Sequence, residues 1–342
     1  IHTNVKITPI TKPDTPLFFQ LKIRKTYEAK VESILNNTDA DIVYIRYFWA
    51  SKRVLKAVRS CKKLVVLERN SLLLPEIKAS NKKPFKLNLS YLFSQFQDYW
   101  QPYINEKLFG HKLNKLADLV VCVTPQIMKY NSQKGTNCYH LGNGITTDNY
   151  PKRALNLVKN KVVFFILDGT SVFAPWTGTE RLIEGIISYQ LQDKVEIHIA
   201  GNNNSYENVP FVKNLGYLTP EKINTYISKA HIGTGNLKLF EKGLTDASTL
   251  KAREYASRGI PLLLAHYDYD IGNSPLKKYC FQVSNSNEPI PMLEVMDWIK
   301  SLNEKNPFHP EEMHQLSIEH LDFNVKMKKL KNKLHTLLEK NA

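Results

Sequence analysis

Twice along this chain, short β-branched apolar runs alternate with segments of helical length, and that pattern limits the fold more than any other feature. In the first half the runs are DIVYIRY (41–47), KLVVLE (63–68), DLVVCVT (118–124) and NCYHL (137–141). Helix-length segments at 20–36, 51–60, 89–109 and 125–133 separate them. After about residue 160 the pattern restarts, with KVVFFIL (161–167), VEIHIA (195–200), FVKNLG (211–216), HIGTG (231–235) and IPLLLA (260–265). Helical patterns fill 179–189, 220–229, 248–258 and 290–304. Strands joined by helical crossovers pair in parallel and are covered on both faces. Two such sets in 342 residues predict an α/β chain of two doubly wound, Rossmann-like domains.

The stretch GNGITTDNYPKRALNLVKNK (142–161) reads as a linker, because Gly, Asn, Pro and basic polar residues interrupt both periodicities. Domains are therefore expected at 1–150 and 151–315. The tail, 316–342, reads as one lysine-rich amphipathic helix.

Composition narrows the function classes. No run of eighteen apolar residues marks a membrane-spanning helix. Cys61, Cys122, Cys138 and Cys280 are scattered singly, which argues for a reducing cytoplasm and against a disulfide framework or a zinc site. Residues 1–150 hold 23 Lys and Arg against 11 Asp and Glu, a net +12, whereas 151–342 hold 24 against 21, a net +3. A basic first half suits an anionic partner. No nucleic-acid motif accompanies it. An anionic membrane surface is one candidate, with the aromatic stretch 88–115 and Lys82, Lys83 and Lys86 as an interfacial element; a generally basic surface and a long helix packed on the core are the plainer alternatives.

The most informative local feature is GTGNLKLFEKGLTDASTLKAREYASRGIP (233–261). On a helix starting near Asp246, positions eight apart return to roughly one face, which relates Asp246 to Glu254. Gly233, Gly235 and Gly243 allow backbone amides to approach an anion. Two carboxylates with amides between them suit a sugar nucleotide. An ordinary helix with an Asp cap and an exposed Glu is the plainer alternative.

LTDASTLKAREYASRGIP resembles the signature of retaining family 4 glycosyltransferases of GT-B fold, in which two acids flank seven residues. It is most similar to a bacterial subgroup reading Glu-Ala-Ser-Pro-Leu-Lys-x-Arg-Glu-Tyr and then Gly-x-Pro. The resemblance implies two domains facing a cleft, with the last helix crossing back to the first domain. It implies sugar transfer, with retention, from a nucleotide-diphosphate sugar to a polysaccharide, lipid-linked or protein acceptor. No metal and no further cofactor are implied. The setting would be cytoplasmic, peripheral at the inner face of the cell membrane.

Residue by residue, Asp246 would face the donor sugar and Glu254 would hold the ribose diol, a pairing a double acceptor suits. The amides of Ala247, Ser248 and Thr249 would face the diphosphate. Gly169, Thr170, Trp176 and Gly178 correspond to the first donor-domain loop, Gly201 to the next turn, and Gly216, Tyr217 and Leu218 to the nucleobase contact. The family's Arg and Lys clamp is missing from that first loop, leaving Lys242, Lys251 or Arg253 to supply the charge. On the acceptor side the resemblance points to Arg46, Glu68, Asn70, Asn143 and Gly144.

Two departures stand out. The first acid is Asp where the family has Glu, so a non-catalytic GT-B partner subunit is the alternative reading. Residues 1–40 contain no glycine, although the fold usually opens with a strand and a Gly-rich loop. Either the natural chain starts upstream of this Ile1, or that loop has been replaced.

Overall fold

Both sheets are parallel throughout the described residues, as the helical crossovers require. The computed structural model describes residues 19–80, 92, 95–158, 160–168, 174–201 and 206–340. The chain forms two units. The first holds the residues up to Cys122 together with Ile127–His140, and the second holds Val123–Gln126 and everything from Leu141.

Unit 1 runs α1 (Phe19–Asn37), β1 (Ile42–Arg46), α2 (Lys52–Ser60), β2 (Leu64–Arg69), α3 (Leu73–Ser80), a long helix α4 over 96–116, β3 (Leu119–Cys122), α5 (Pro125–Ser132, its first two residues counted with unit 2) and β4 (Cys138–His140). Its four strands lie side by side in chain order. Val65, Val66 and Leu67 of β2 and all four residues of β3 are buried, so the central strands are apolar on both faces. Ser51 caps α2 by accepting from the Val54 amide, and Val54, Leu55, Ala57 and Val58 form that helix's buried face. Helix α4 runs on to Leu116, past the end of the 89–109 pattern, and it alternates π turns (Phe96–Trp100, Glu106–Gly110) with α turns (Gln101–Asn105, His111–Leu116).

Unit 2 runs β5 (Val162–Leu167), α6 (Thr179–Ser188), β6 (Val195–Ala200), β7 (Val212–Gly216), α7 (Pro220–Ile227), β8 (Ile232–Thr234), α8 (Leu250–Ser257), β9 (Leu262–Leu264), β10 (Cys280–Gln282), α9 (Met292–Lys305), α10 (His309–His320) and α11 (Phe323–Glu339). The strand order is β10-β9-β8-β5-β6-β7. The chain steps outward from β5 to β7, then returns to the other side of β5, which is the doubly wound arrangement of nucleotide-binding sheets. Successive β5 residues serve opposite cores. Phe164 and Ile166 pack with Leu182, Ile186 and Val295, while Phe165 packs with Ala252, Tyr255 and Met313.

The single tail helix expected from the sequence is two helices, α10 and α11, broken at Leu321–Asp322. Asp322 takes the Asn324 amide as N-cap and also accepts from the Thr147 amide and hydroxyl. Its neighbours pair with Ile145 through Ile145 N–H to Leu321 O and Phe323 N–H to Ile145 O. A carboxylate that can cap and bind elsewhere gains more by ending a helix than by continuing one.

Gly233 and Gly235 are explained by packing rather than by anion approach. Their amides bond Pro261 O and Leu263 O inside the sheet. A Cβ on Gly233 would stand 2.3 Å from the Tyr255 ring, and one on Gly235 would stand 2.4 Å from Leu264. Gly243, at φ 65°, closes a turn on Phe240 O. Gly233→Ala is therefore expected to lower unfolding free energy by about 1–3 kcal/mol, the usual cost of overpacking a core. Urea unfolding checks this, and a change within about 0.5 kcal/mol, typical of an exposed site, would reject it.

Candidate functional site

Open parallel sheets bind ligands beyond the carboxyl ends of the strands, where the strand order reverses. In unit 2 that point lies between β5 and β8. Asp168 follows β5, and its amide bonds Ala200 O at the end of β6. Gly201 then turns at φ 140°, and a Cβ there would stand 2.5 Å from Asp168 O, so only glycine fits. The Gly201 amide bonds Gly216 O, and Gly216 turns at φ 65°. These strand ends thus converge on one rim. Tyr217 presents an exposed ring, whereas Leu218 packs back onto the core behind α7.

Helix α8 faces this rim. Tyr255 locks it to β5, its hydroxyl taking the Leu167 amide at 2.7 Å and donating to Phe165 O at 3.2 Å. Arg253 is fully buried and uses all five of its N–H groups. Nε donates to Asn143 O, NH1 to Thr249 O and Asp268, and NH2 to Asp268 and Asp270. Lys326 of α11 closes the network on Asp270 at 2.6 Å. Burial works against the Asp270 charge, yet Arg253 and Lys326 hold its carboxyl below the usual carboxylate range. Arg253 is therefore a structural hub and has no N–H left for a diphosphate clamp.

Lys251, two residues earlier on α8, is differently placed. Burial pushes its ammonium down to about 8, opposed by the Asp168 carboxylate. Near it, His266 follows β9. Its Nδ1 contacts Asn236 O at 3.1 Å, and its buried Nε2 has no hydrogen-bond partner. Burial lowers the imidazole pKa, and the Lys251 and Arg253 charges add to the effect against Asp268. The hydroxyls of Thr234, on β8, and Thr249, before α8, are likewise buried without partners. Unpaired buried polar groups gathered around strand ends mark a place where a ligand would supply the missing bonds. Sequence reasoning passed over Asp168, Thr234 and His266. Their signal was position alone, as polar residues in or just after an apolar run.

Glu254 is partly buried. Its Oε1 takes both bonds from Arg258, at 3.1 and 3.0 Å, and among the described residues Oε2 has no protein partner. Burial raises its pKa against the Arg258 charge. Asp246 is not on the helix with it. Helix α8 starts only at Leu250, behind the extended cap Thr249, and Asp246 bridges Tyr267 in parallel. The face relation inferred from eight-residue spacing therefore does not hold; loop and strand pairing position Asp246. Its Oδ2 accepts the Gln126 amide at 2.9 Å, and the Gln126 side chain brackets the same loop by accepting from the Thr245 amide and donating to Gly243 O.

The Ala247 amide, expected to face a diphosphate, donates to Tyr267 O at 3.0 Å. Ser248 accepts the Asn143 amide on its hydroxyl and the Asn143 side chain on its carbonyl. Asn143 and Gly144, expected on the acceptor side, thus belong to unit 2. Gly144 is required because a Cβ would meet Phe323 Cα at 2.8 Å.

The structure also joins Trp176 to Lys242, whose ammonium lies 4.5 Å from the indole centroid. Gly178 turns at φ 68° where a Cβ would press on Leu237. Gly169 and Thr170 lie outside the described residues.

In unit 1, Arg46 and Glu68 are register partners at the ends of β1 and β2 and form a loose pair at 3.7 Å, with Tyr44 donating to Glu68 at 2.7 Å. Asn70 keeps a buried Oδ1 without a partner. A small polar cleft lies within this unit, with Arg69, Ser71, Glu106, His111 and Lys134 among its walls.

No protein-family model and no curated protein matches the sequence. Solved structures do match the fold. The chain superposes on a sucrose-phosphate synthase from Thermosynechococcus elongatus at a TM-score of 0.65, with 11% identity, over 98% of this chain and 85% of that one. HepE from Anabaena, solved with UDP, gives 0.61 and 14% over 94% and 85%. A glycosyltransferase from Rickettsia africae gives 0.61 and 12% over 97% and 84%. The fold is GT-B, with two Rossmann-like domains.

Removing Arg253 leaves the buried Asp268 without its counter-ion and takes one of two cations from Asp270, which keeps Lys326. Arg253→Met is expected to cost about 3–5 kcal/mol of stability, the range for breaking a buried ion pair from one side. Arg253→Lys should not restore it, because one ammonium cannot span both aspartates and two carbonyls. Calorimetric melting of both variants checks this, and a near-native melt for the lysine variant would contradict it.

Proposed function

We propose that this chain is a glycosyltransferase that takes a sugar from a nucleotide-diphosphate donor bound at the β5–β8 switch point of unit 2. The observation that carries the reading is the group around that point: a half-buried Lys251 with a lowered pKa, Glu254 with an open carboxylate oxygen, and buried polar atoms without partners. Lys251 would meet the diphosphate, with Lys242 near Trp176 as a second cation. Glu254 Oε2 would accept from the ribose diol. Asp246 would face the transferring sugar, held by Gln126. The GT-B fold supports this assignment, and the UDP in HepE makes uridine the first base to test.

The finer features belong to the same proposal. Transfer proceeds with retention and without a metal, the departing diphosphate being stabilised by the protein. The acceptor is a polysaccharide, a lipid-linked glycan or a glycoprotein at the inner face of the cell membrane.

Nucleotide release from a panel of UDP- and GDP-sugars tests the reading directly. Glu254→Gln should weaken nucleotide binding by about tenfold or more through loss of a charge-assisted hydrogen bond. Asp246→Asn should depress turnover far more than nucleotide affinity, because its contact is to the sugar. Binding without any turnover in the wild type would instead identify a non-catalytic partner subunit.

The pH dependence follows from Lys251. In the free protein its ammonium titrates near 8. Above that pH, diphosphate binding must take up a proton, so UDP affinity should fall, by at most about tenfold per pH unit. Lys251→Arg, which stays charged, should bind UDP with no such fall. Titration calorimetry between neutral and alkaline pH checks both, and a flat wild-type profile would remove Lys251 from the diphosphate site.

A further inference from the structure

Helix α4 in unit 1 buries little of its apolar surface. Leu113 and Pro102 face inward, but the rest of that side is largely polar. Gln97 O and Gln101 Oε1 accept from Arg24, Glu106 pairs with Arg69 at 3.0 Å, and Asn114 accepts from Arg69 and donates to Asn131. Outward stand Phe96, Trp100, Ile104 and Leu108, each four residues from the next and each 46–52% exposed. In a regular α-helix of 3.6 residues per turn, positions four apart rotate by about 40° per step, so such a series would wind away from a single line. The two π turns, with their wider i→i+5 spacing, wind it back. The stripe is thus kept straight by an uncommon backbone, and the interior bonds to Arg24 and Arg69 prevent the helix from rolling its apolar side inward.

The next member of the series is Lys112, exposed like Lys107 and Lys115, with Asp98 as the exposed acid on the helix. Tyr99 stacks with Tyr103 at 5.8 Å and meets the Trp100 ring edge-on at 5.0 Å. Amphipathic aromatic rings beside an apolar line, with lysines at one end, suit the boundary between lipid headgroups and acyl chains. A second copy of the chain fits less well, because the first 150 residues carry a net +12 and would repel themselves. Lys82, Lys83 and Lys86 of the expected interfacial stretch lie outside the described residues.

We infer that the α4 stripe is a docking surface for an anionic lipid bilayer, with Phe96, Trp100, Ile104 and Leu108 entering the headgroup layer and Lys107, Lys112 and Lys115 meeting lipid phosphates. This assignment is independent of the transferase reading.

Vesicle flotation of the full chain tests it, comparing phosphatidylcholine alone with phosphatidylcholine containing a third of phosphatidylglycerol. Binding is expected only to the acidic vesicles and should weaken with salt, because exposed charge contacts are screened. Trp100→Ser with Ile104→Ser should reduce it by about tenfold, and Lys107→Gln with Lys112→Gln should reduce it at low salt. All the substituted side chains are exposed, so nucleotide binding should stay unchanged in both variants. A second readout avoids reliance on variants that remove the stripe. Brominated acyl chains should quench the wild type more than Trp100→Phe. Absence of binding to acidic vesicles at low salt would overturn the inference. So would equal quenching of wild type and Trp100→Phe, or a dimer in light scattering that the serine changes dissolve while vesicle binding persists.

Discussion

The guanidinium of Arg253 is the interaction on which unit 2 is organised. It is buried, and its five donors reach the Asn143 loop, the turn before α8 and the Asp268–Asp270 segment after β9. Lys326 extends the network to α11. A buried cation must be matched, so each of these segments is held where it satisfies Arg253 or its partners. Lys251 and Glu254 flank Arg253 on the same helix, whose seating is set by Arg253 and Tyr255.

Glycine placement follows the same logic of close approach. Gly201 turns where the backbone passes against Asp168 O, Gly144 lets α11 begin against the chain, and Gly233 admits the Tyr255 ring. The rim therefore depends on missing side chains as much as on those present. Here the polar atoms left over, on Thr234, Thr249 and His266, collect beside a lysine whose charge is disfavoured by burial. An anionic ligand there would supply the missing bonds and favour the charged lysine.

Unit 1 follows a different logic. Its two central strands are apolar along most of their length and its sheet is ordinary, but α4 departs from the expected polarity. Arg24 and Arg69 take up inward-facing amides and a carboxylate, and Phe96, Trp100, Ile104 and Leu108 are left outside while Leu113 alone of the helix's leucines is fully buried. Periodicity in the sequence located helical character near 89–109 but could not tell which face is buried. A strip of apolar residues every four positions reads equally as a core face or as an outer one.

What the sequence determined by itself is the alternation of strand and helix, and hence the parallel sheets, because β-branched runs and helical spacing are local properties. The signature around Asp246 and Glu254 lies within one short segment, and that segment contains the helix on which Arg253 and Tyr255 organise unit 2. What only the tertiary structure decided is which groups are consumed. Arg253 and the Ala247 amide looked available to a ligand and are bound elsewhere, while His266 and Asp168 looked incidental and stand at the switch point. The break at Asp322 belongs to the same class, because its partner Thr147 is far away in the chain. Hydrogen-bond satisfaction is a property of neighbours in space, and a sequence read along one dimension does not contain those neighbours.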